Sequence, residues 1–368
     1  MKVILFRANN IFDSRVQKYV NHYVRNGIKH TIVGWDRNCE GLQRDNYSFY
    51  RYKAGVNVGG LQAIKNHIKW MKFVFSTLKK CIDVTTIHAC DLNSAFPAAV
   101  YKKWFKKDVR LIFDSCDWFS ASLGSNKVLR YLFTQMEKFT CKIADELIIC
   151  EPERKDLISF PLKKEPLILP NIPEIDRSVL NINNSSKYQF DNNWPIVAYF
   201  GRISKDRFHR ELLTLTQSMK FNLLIAGFGT KEIEELCKSC SNQSNVKFFG
   251  RVDMKTGLEM SMSADLIYAM YCKTNKNNVY AAPNKFYEAL FLGKPIITTK
   301  GTILEKKVVS NNIGYVIEED IDELKALLQQ LSIEDIKEKG SNATALWENQ
   351  YSTYIANFFK TTYSQILQ

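Results

Sequence analysis

Short apolar runs of four to six residues alternate along the chain with longer segments in which apolar positions recur every three or four residues. The short runs are typical of buried parallel strands, and the longer segments are typical of amphipathic helices. The first half opens with a predicted strand at 2–6, a helix at 14–26 that stops at Gly27, and a strand at 30–34. This alternation predicts a doubly wound α/β domain with a parallel sheet.

The alternation pauses in a polar, asparagine-rich stretch at 171–194, which contains Pro173 and is predicted to be a linker. A second series then runs from a strand at 196–200 to a helix at 321–331, and a long aromatic helix follows at 343–367. The sequence predicts one domain at 1–170 with about 350–368 added, and another at 195–349, with the last helix packed across both. A ligand is expected between them, at the carboxyl ends of the strands.

The composition indicates a soluble or membrane-peripheral protein. The 368 residues are 45% hydrophobic and 24% charged, which suits two globular domains and is not typical of disorder. No segment approaches the ~18 apolar residues of a membrane span, and the apolar run at 3–6 is too short for a signal peptide. Nine scattered cysteines favour reduced thiols in a cytosolic protein. The isolated pair of Cys237 and Cys240 is a poor zinc site, so no metal is expected.

The net charge of +13 lies almost entirely in the first half. Residues 1–170 contain 28 Lys+Arg against 16 Asp+Glu, whereas residues 171–368 contain 23 against 22. Between positions 51 and 110, 12 basic residues are interleaved with the aromatic residues Trp70, Phe73, Phe75, Trp104 and Phe105. Cations mixed with aromatics favour an anionic membrane surface. A solvated charged face is a close alternative, and nucleic acid ranks last because no nucleic-acid-binding motif is present.

The segment PNKFYEALFLGKPIITTKG at 283–301 predicts a short helix that is opened by a proline, ended by Gly293 and followed by a buried strand. The free amides of Asn284, Lys285 and Phe286 could bind an anionic diphosphate, while Glu288 could bind ribose hydroxyls. Taken alone, the helix could equally be an ordinary surface helix with an acidic residue near its start.

Glycines and cations follow other strands of the second half. In YFGRISKDR at 199–207, Gly201 allows close approach of a ligand, and the cations that could compensate a diphosphate are Arg202, Lys205 and Arg207. We favour this interpretation over a rim of solvated charges, because α/β domains bind phosphate at this edge. Gly227 in IAGFGT is weaker evidence for a donor contact, because a lone GxG can be only a tight turn. In FFGRVD at 248–253, the backbone of Arg251 and Val252 could meet a base edge, although turn chemistry also explains the motif.

Polar residues also follow two strands of the first half. IHACD contains His88 and Asp91, and IFDSCDWFS contains Asp114 and Asp117. His88 could hydrogen-bond a substrate, or it could be a satisfied core histidine. The two aspartates of the second motif could bind acceptor hydroxyls or act as a general base, or they could cap the following helix.

In order along nearly the whole chain, these motifs resemble the family 4 glycosyltransferases. The segments that carry the resemblance are DSRVQKYVNHYVRNGIKHTIVG, IHACD, DSCD, ADELIICE, LPNIPE, FGRISKDR, LLIAGFG, VKFFGRV, ADLIYAM and PNKFYEALFLGKPIITT. The resemblance implies a GT-B fold, in which two Rossmann-like domains face a cleft and the last helix crosses back. It also implies that Arg202 and Arg207 hold the donor pyrophosphate, that Glu288 binds the ribose, and that residues after Gly250 touch the base.

The chain departs from the family pattern at several positions. Tyr280 replaces a second glutamate, Phe208 replaces a glycine, and Cys116 replaces a common histidine. Asn9 and Asn10 replace the glycine-rich loop after the first strand and become candidate acceptor contacts.

The resulting prediction is a hexosyltransferase-type glycosyltransferase that is retaining and needs neither metal nor cofactor. It would move a sugar from a UDP-sugar or GDP-sugar to a glycan or polyprenyl-diphosphate-linked acceptor during capsule or O-antigen polysaccharide biosynthesis. Its expected location is cytoplasmic, peripheral on the inner face of the plasma membrane. The predicted catalytic residues are Arg202, Arg207, Glu288, Asp117 and His88. The predicted acceptor contacts are Asn9, Asn10, His88, Asp91, Asp114 and Asp117. The alternatives are a nucleotide-sugar epimerase of the same fold, and a non-catalytic protein that binds nucleotide sugars or nucleic acid.

Overall fold

The computed structural model of the chain describes residues 1–8, 14–37, 39–53, 60–123, 126–181, 187–281 and 283–368. The chain divides into two compact units. Unit 1 comprises Met1–Asn171 together with Ala356–Gln368, and unit 2 comprises Ile172–Ile355.

A parallel sheet forms the centre of unit 1, with its described strands in the order β3-β2-β1-β4-β5-β6-β7. The strands are β1 Lys2–Arg7, β2 Lys29–Asp36, β3 Tyr47–Arg51, β4 Thr86–Cys90, β5 Arg110–Ser115, β6 Glu146–Ile149 and β7 Leu167–Ile168. The helices are α1 Ser14–Arg25, α2 Gly60–Lys80, α3 Leu92–Trp104 and α4 Lys127–Ile143. Strands β1, β4 and β5 are buried along almost their whole length, as expected for a sheet that is covered on both faces.

Unit 2 is built on a second parallel sheet, with its described strands in the order β10-β9-β8-β11-β12-β13. The strands are β8 Ile196–Ile203, β9 Asn222–Gly229, β10 Val246–Phe248, β11 Leu266–Ala269, β12 Ile296–Thr299 and β13 Gly314–Ile317. The helices are α5 His209–Leu215, α6 Lys231–Cys240, α7 Met254–Met262, α8 Lys276–Val279, α9 Asn284–Leu292, α10 Ile303–Asn311, α11 Ile321–Gln330, α12 Ile333–Leu346 and α13 Tyr354–Asn357, the last of which leads into unit 1. The prediction of two parallel-sheet α/β domains is therefore confirmed.

The segment predicted to be a linker folds onto unit 2 instead of standing free. Ile172, Leu180 and Tyr188 are all buried in one of its hydrophobic clusters. Their apolar side chains are spaced too irregularly among asparagines to reveal this packing in the sequence.

The carboxyl-terminal segment contributes side chains to the cores of both units. Trp347, in a π-helical turn after α12, is buried in unit 2, whereas Tyr363, in the turn before α14 (Ser364–Leu367), is fully buried in unit 1. In the part of the chain that the structure describes, no helix is long and apolar enough to cross a membrane.

The predicted basic and aromatic face of the first half is only partly a surface. Trp70 is fully buried and stacks on Trp35, with 5.9 Å between the ring centres. Phe73 and Phe75 are partly buried and pack against the core. Trp104 and Phe105 are more than half exposed. The predicted surface position was therefore wrong for Trp70 and agrees with the structure for these two residues.

Candidate functional site

The paired ends of β8 and β9 are shaped by two glycines. Gly201 (φ +142°) lies opposite Gly227 (φ +148°) in the parallel register. A Cβ on Gly227 would lie 1.7 Å from the carbonyl oxygen of Gly201, a distance that no side chain tolerates. Gly227 therefore permits close packing of the two strands, which is an alternative to its predicted contact with the donor.

Gly201 makes room for the side chain of Lys285, which comes from the first turn of α9. The Lys285 Nζ lies 2.7 Å from the position that a Cβ on Gly201 would occupy, and 4.4 Å from the centre of the Tyr199 ring. Burial lowers the pKa of Lys285 to about 8; Glu288 opposes this shift and Arg207 adds to it. Among the described residues, no carboxylate forms an ion pair with Lys285.

Arg207 lies close enough to the Lys285 ammonium to lower its pKa, and neutral and acidic neighbours hold the guanidinium in place. Its Nη1 donates to Asn278 Oδ1 at 3.0 Å and to Asp206 Oδ2 at 3.1 Å, and its guanidinium lies 4.3 Å from the centre of the Tyr271 ring. These contacts fix one side of the guanidinium against unit 2. Two cations are thus held near each other, a costly arrangement that an incoming anion would relieve.

The other two predicted cations differ from Arg207 in their surroundings. Arg202 is exposed, and its backbone carbonyl accepts a hydrogen bond from the Tyr199 hydroxyl. Lys205 Nζ lies 2.6 Å from Glu232 Oε2, in an exposed network that also includes Arg210. Lys205 would have to leave this carboxylate in order to bind a phosphate.

The amino end of α9 offers two backbone donors. Pro283 occupies the N-cap position and provides no side-chain cap. The Phe286 amide donates to the Pro283 carbonyl at 3.1 Å, so the prediction that this amide is free was wrong. In the described parts of the chain, no acceptor is within hydrogen-bond reach of the Asn284 and Lys285 amides, which leaves both available to an anion.

Glu288 lies one turn further along α9 and is 5% exposed. Burial raises its pKa to about 6, and the Lys285 ammonium opposes the rise. No described residue donates a hydrogen bond to its carboxylate. A buried carboxylate without donors is suited to accept hydrogen bonds from paired hydroxyls of a ligand.

An exposed aromatic ring and a cation lie together at the carboxyl end of β9. Phe228 is 53% exposed, and the Arg251 guanidinium lies 4.6 Å from the centre of its ring. Val252 is partly buried against the core of unit 2, next to the turn formed by Gly250 (φ +62°). Sequence reasoning missed Phe228, which lies within β9 between Gly227 and Gly229 and whose exposure is seen only in the folded structure.

The His209 ring packs against the Tyr199 ring. Its ring centre is 4.1 Å from that of Tyr199, and its Nδ1 is within 3.1 Å of the Ser204 amide. Burial lowers the pKa of His209 to about 3, with a further contribution from Lys285. The imidazole is therefore neutral and acts as packing beneath the cationic cluster.

In unit 1, His88 is a core residue. It is fully buried; its Nδ1 lies 2.7 Å from the Tyr363 hydroxyl, and its Nε2 lies 3.5 Å from Asp114 Oδ2. Burial lowers the pKa of His88, which keeps it neutral. With no exposed atoms, it cannot touch an acceptor in this conformation, which corrects its predicted catalytic and acceptor roles.

Asp114 is also fully buried, and its oxygens are occupied. Arg15 donates to it through Nε and Nη2 at 2.6–3.0 Å, and the Tyr19 hydroxyl donates at 2.9 Å. Burial alone would raise the pKa of Asp114, but the Arg15 charge and the hydrogen bonds from His88 and Arg15 hold it far below its usual range. Asp114 is therefore structural, and its predicted acceptor contact is corrected.

The remaining predicted acceptor residues differ in their accessibility. Asp91 Oδ2 lies 2.6 Å from Arg7 Nη1, and its Oδ1 accepts from the Cys116 amide at 3.2 Å. The Asp117 side chain is 69% exposed and lies 3.2 Å from Arg154 Nη1. Asp117 is thus the most accessible of the four described candidates. Asn9 and Asn10 lie outside the described residues.

One buried cluster has the composition of a metal site. Ligand atoms of His88, Cys90 and Asp114 lie within 4.8 Å of one another. Asp114 already accepts from Arg15 and Tyr19, so the cluster could hold a cation only by giving up these hydrogen bonds. The donor set therefore favours a structural network.

The chain is similar in sequence to one protein family. Residues 181–345, which span almost all of unit 2, match the model for glycosyl transferases group 1. This match confirms the predicted enzyme class, a glycosyltransferase of the hexosyltransferase type. No curated protein matches the chain.

Solved structures resemble the chain over its full length. Sucrose-phosphate synthase from Thermosynechococcus elongatus has a TM-score of 0.73 at 16% identity, and the match covers 100% of this chain and 99% of that one. HepE of Anabaena, solved with UDP and glucose, has a TM-score of 0.69 at 14% identity, over 99% and 100% of the two chains. WaaG, a glycosyltransferase involved in lipopolysaccharide biosynthesis, has a TM-score of 0.65 at 16% identity, over 98% of each. These likenesses confirm the predicted GT-B fold.

Proposed function

We propose that the protein is a family 4 glycosyltransferase that moves a sugar from a UDP-sugar or GDP-sugar to a glycan or lipid-linked glycan acceptor. We further propose that the reaction retains anomeric configuration, needs no metal, and serves the synthesis of a surface polysaccharide. The group 1 family match of unit 2 and the GT-B fold support the nucleotide-sugar donor. The acceptor, the pathway and the stereochemistry rest on the family resemblance.

The observation that carries the proposal is the cationic cluster of unit 2, in which Arg207 is paired with Asp206 and Lys285 is not paired with a described carboxylate. Lys285 and Arg207 lie close together beside Gly201, and no carboxylate forms an ion pair with Lys285 among the residues that the structure describes. The two unpaired amides of α9 lie on the same helical turn as Lys285. A diphosphate supplies the compensating negative charge, and it gains most where water has been displaced.

The same groups account for catalysis. As the sugar leaves, negative charge grows on the diphosphate, and Arg202, Arg207 and Lys285 compensate it. Glu288 holds the ribose, which fixes the anomeric carbon relative to these cations. The departing diphosphate then accepts the proton of the acceptor hydroxyl, and Asp117 is the accessible carboxylate that orients that acceptor.

Calorimetry against UDP and GDP tests the donor site. We expect the full chain to bind one of the two nucleotides. Charge-assisted hydrogen bonds contribute about 1.5–3 kcal/mol, so Lys285→Met is expected to weaken binding about 10- to 150-fold. Lys231→Met, at an exposed lysine of the same unit, is the matched control and should bind normally. Binding that is unaffected by Lys285→Met would contradict the proposed site.

Turnover assays separate the proposed transfer from its rivals. Slow hydrolysis of a nucleotide sugar, stimulated by an acceptor, supports transfer. Product formation that needs no acceptor and only inverts a hydroxyl of the donor sugar would indicate an epimerase. Nucleotide binding without turnover of any donor would indicate a non-catalytic binding protein.

We also propose that unit 1 associates with an anionic membrane surface. One exposed patch combines apolar and basic side chains: Lys79, Ile82, Lys103, Trp104 and Phe105. Lys79 lies 4.9 Å from the centre of the Phe105 ring, and Lys103 lies 4.8 Å from that of Trp104. Such pairs favour the interface of an anionic bilayer.

A second exposed patch lies on the first half of α4, which follows the carboxyl end of β5. It consists of the exposed residues Lys127, Val128, Tyr131 and Leu132, with the partly exposed Arg130 beside them. Vesicles with anionic lipids should sediment the full chain in a salt-sensitive manner. Comparing the doubly substituted Trp104→Ser/Phe105→Ser protein with the Tyr131→Ser/Leu132→Ser protein identifies the patch that binds. If the unmodified chain does not sediment, membrane association is refuted.

A further inference from the structure

Two cysteines of unit 1 stand side by side where β5 and β6 end. Ser115 of β5 pairs with Ile149 of β6 as the last pair of the parallel register, and extending the register by one residue sets Cys116 opposite Cys150, in agreement with the contact of Cys150 Sγ with the Cys116 carbonyl oxygen. Neighbouring strands are about 4.8 Å apart, and disulfides join Cα atoms that are about 4.4–6.8 Å apart. The backbone therefore holds the two residues at a spacing that suits a disulfide.

The two thiols share a hydrogen bond in a cationic environment. Arg7 Nη1 donates to Cys116 Sγ at 3.3 Å, and Cys150 Sγ lies 3.7 Å from the Cys116 carbonyl oxygen. The hydrogen bond from Cys116, with help from the charges of Arg15 and Arg154, lowers the pKa of Cys150 to about 7 although burial opposes it. The same hydrogen bond, together with burial, raises the pKa of Cys116, so the negative charge of the pair lies on Cys150 near neutral pH.

The accessibility of the two sulfurs differs, and this assigns an order to their reactions. Cys116 is partly exposed, whereas Cys150 is fully buried. An oxidant can reach Cys116 first, and Cys150 is placed to attack it afterwards. Cys237 and Cys240 of α6 provide a contrast, because both are buried and burial raises the pKa of each.

We propose that Cys116 and Cys150 are a site of reversible disulfide formation that responds to peroxides. The Cys116 thiol passes its proton to the Cys150 thiolate across their shared hydrogen bond, and the Cys116 thiolate so formed attacks hydrogen peroxide. An S–O bond forms, the O–O bond breaks, and the leaving hydroxide takes that proton back from Cys150 to give water. The Cys150 thiolate then attacks the Cys116 sulfur; the S–S bond forms, the S–O bond breaks, and the leaving hydroxide gives a second water. In sum, two thiols and one peroxide yield one disulfide and two waters.

The disulfide would alter the loop that carries the most accessible acceptor candidate. It would draw Cys116 Sγ away from Arg7, which pairs with Asp91, and would shift the backbone that precedes Asp117. This consequence rests on the proposed function. We expect oxidation to reduce transfer to the acceptor several-fold and to leave nucleotide binding by unit 2 unchanged.

Peptide mapping of the full chain tests the modification directly. After treatment with hydrogen peroxide, blocking of free thiols and digestion with trypsin, peptides 111–127 and 143–154 each contain a single cysteine. We expect these two peptides to become linked, and dithiothreitol to release them. Cys116→Ser should abolish the link, and peptides 232–238 and 239–247, which contain Cys237 and Cys240, should stay unlinked.

Three results would overturn the proposal or part of it. Oxidation of Cys116 to higher oxygen acids with no link to Cys150 would refute the disulfide. An equal yield of the Cys237–Cys240 link would show that the Cys116–Cys150 pair has no special reactivity and would refute the pair as a peroxide-responsive site. A disulfide that forms without any change in transfer would refute its effect on the acceptor loop. Reduced protein that binds no nucleotide would refute the proposed function, while the peptide map would still decide the modification. Because the map uses the unmodified chain, it does not depend on the folding of a variant.

Discussion

The charged side chains at the sheet edges have partners in unit 1, whereas two of those in unit 2 lack them among the described residues. In unit 1, Asp114 accepts from Arg15 and Tyr19, and Asp91 is paired with Arg7. In unit 2, Lys285 has no anionic partner within ion-pair distance, and Glu288 has no donor, among the described residues. A buried charge that is paired is compensated for its loss of hydration, whereas an unpaired one costs stability and suggests that a ligand completes it.

The largest expected effect comes from removing one partner of the buried Arg15–Asp114 ion pair in unit 1. Asp114→Asn would leave the Arg15 guanidinium buried without its counter-charge, because Arg15 is 4% exposed. Loss of one partner of a buried pair costs about 3–5 kcal/mol, and urea unfolding measures this cost. Lys155→Met, at the exposed pair of Lys155 and Glu165, should change stability by less than about 1 kcal/mol. Equal effects at the two sites would contradict the structural role of Asp114.

Arg207→Met tests the cationic cluster of unit 2 and should change activity far more than stability. Removing one of two neighbouring cations relieves their repulsion, but it also removes the ion pair with Asp206 and the hydrogen bond to Asn278. These opposing effects should leave the free energy of unfolding within about 1 kcal/mol of its original value. Transfer should fall about 10- to 150-fold, since a charge-assisted hydrogen bond to the diphosphate contributes about 1.5–3 kcal/mol. Steady-state kinetics together with urea unfolding separate the two effects. A variant that loses both stability and activity would assign Arg207 to the fold.

Glu288→Gln should stabilise the protein while weakening its function. Burial raises the pKa of Glu288 from 4.5 to about 6, so the folded state binds this proton more tightly than the unfolded state does. Stability is therefore lost as the pH rises from 4.5 to 6. The loss is about 2 kcal/mol at 1.36 kcal/mol per pKa unit. The variant should lack this loss at pH 7 and should bind nucleotide more weakly. Unfolding curves at pH 4.5 and pH 7 that shift equally in both proteins would contradict the prediction.

The smallest effect is expected at Lys205, which sharpens the contrast with Lys285. Its ammonium is paired with Glu232, and 61% of its side chain is exposed. Exposed ion pairs contribute about 0–1 kcal/mol, so Lys205→Met should change nucleotide affinity less than about fivefold. Calorimetry against the same nucleotide measures this change. A loss as large as that of Lys285→Met would place Lys205 in the diphosphate site.

The sequence predicted the order of elements well where periodicity is strong. The strands and helices around Glu288 and Gly201 follow from apolar runs and helix stops that are local in the chain. The edge strand β3 and the elements α10 and β13 were not predicted, because their short apolar stretches lack a clear period.

Contacts between distant residues set the limit of prediction for the candidate site. Arg15 and Asp114 are 99 positions apart, so their spacing gives no sign that they form an ion pair. Lys285 was predicted to contribute its backbone amide, whereas the structure brings its side chain beside Gly201. Its ammonium and the exposed ring of Phe228 became recognisable only once the strands were assembled.

The placement of Tyr363 has a consequence for the order in which the molecule can be completed during synthesis. Its hydroxyl lies 2.5 Å from that of Tyr23 and 2.7 Å from His88 Nδ1, inside the core of unit 1. The ribosome delivers residues 356–368 only after all of unit 2 has been made. Most of unit 1 is therefore translated first, but its core lacks the Tyr363 ring at that stage. The core can be completed only after the carboxyl-terminal segment has been synthesised.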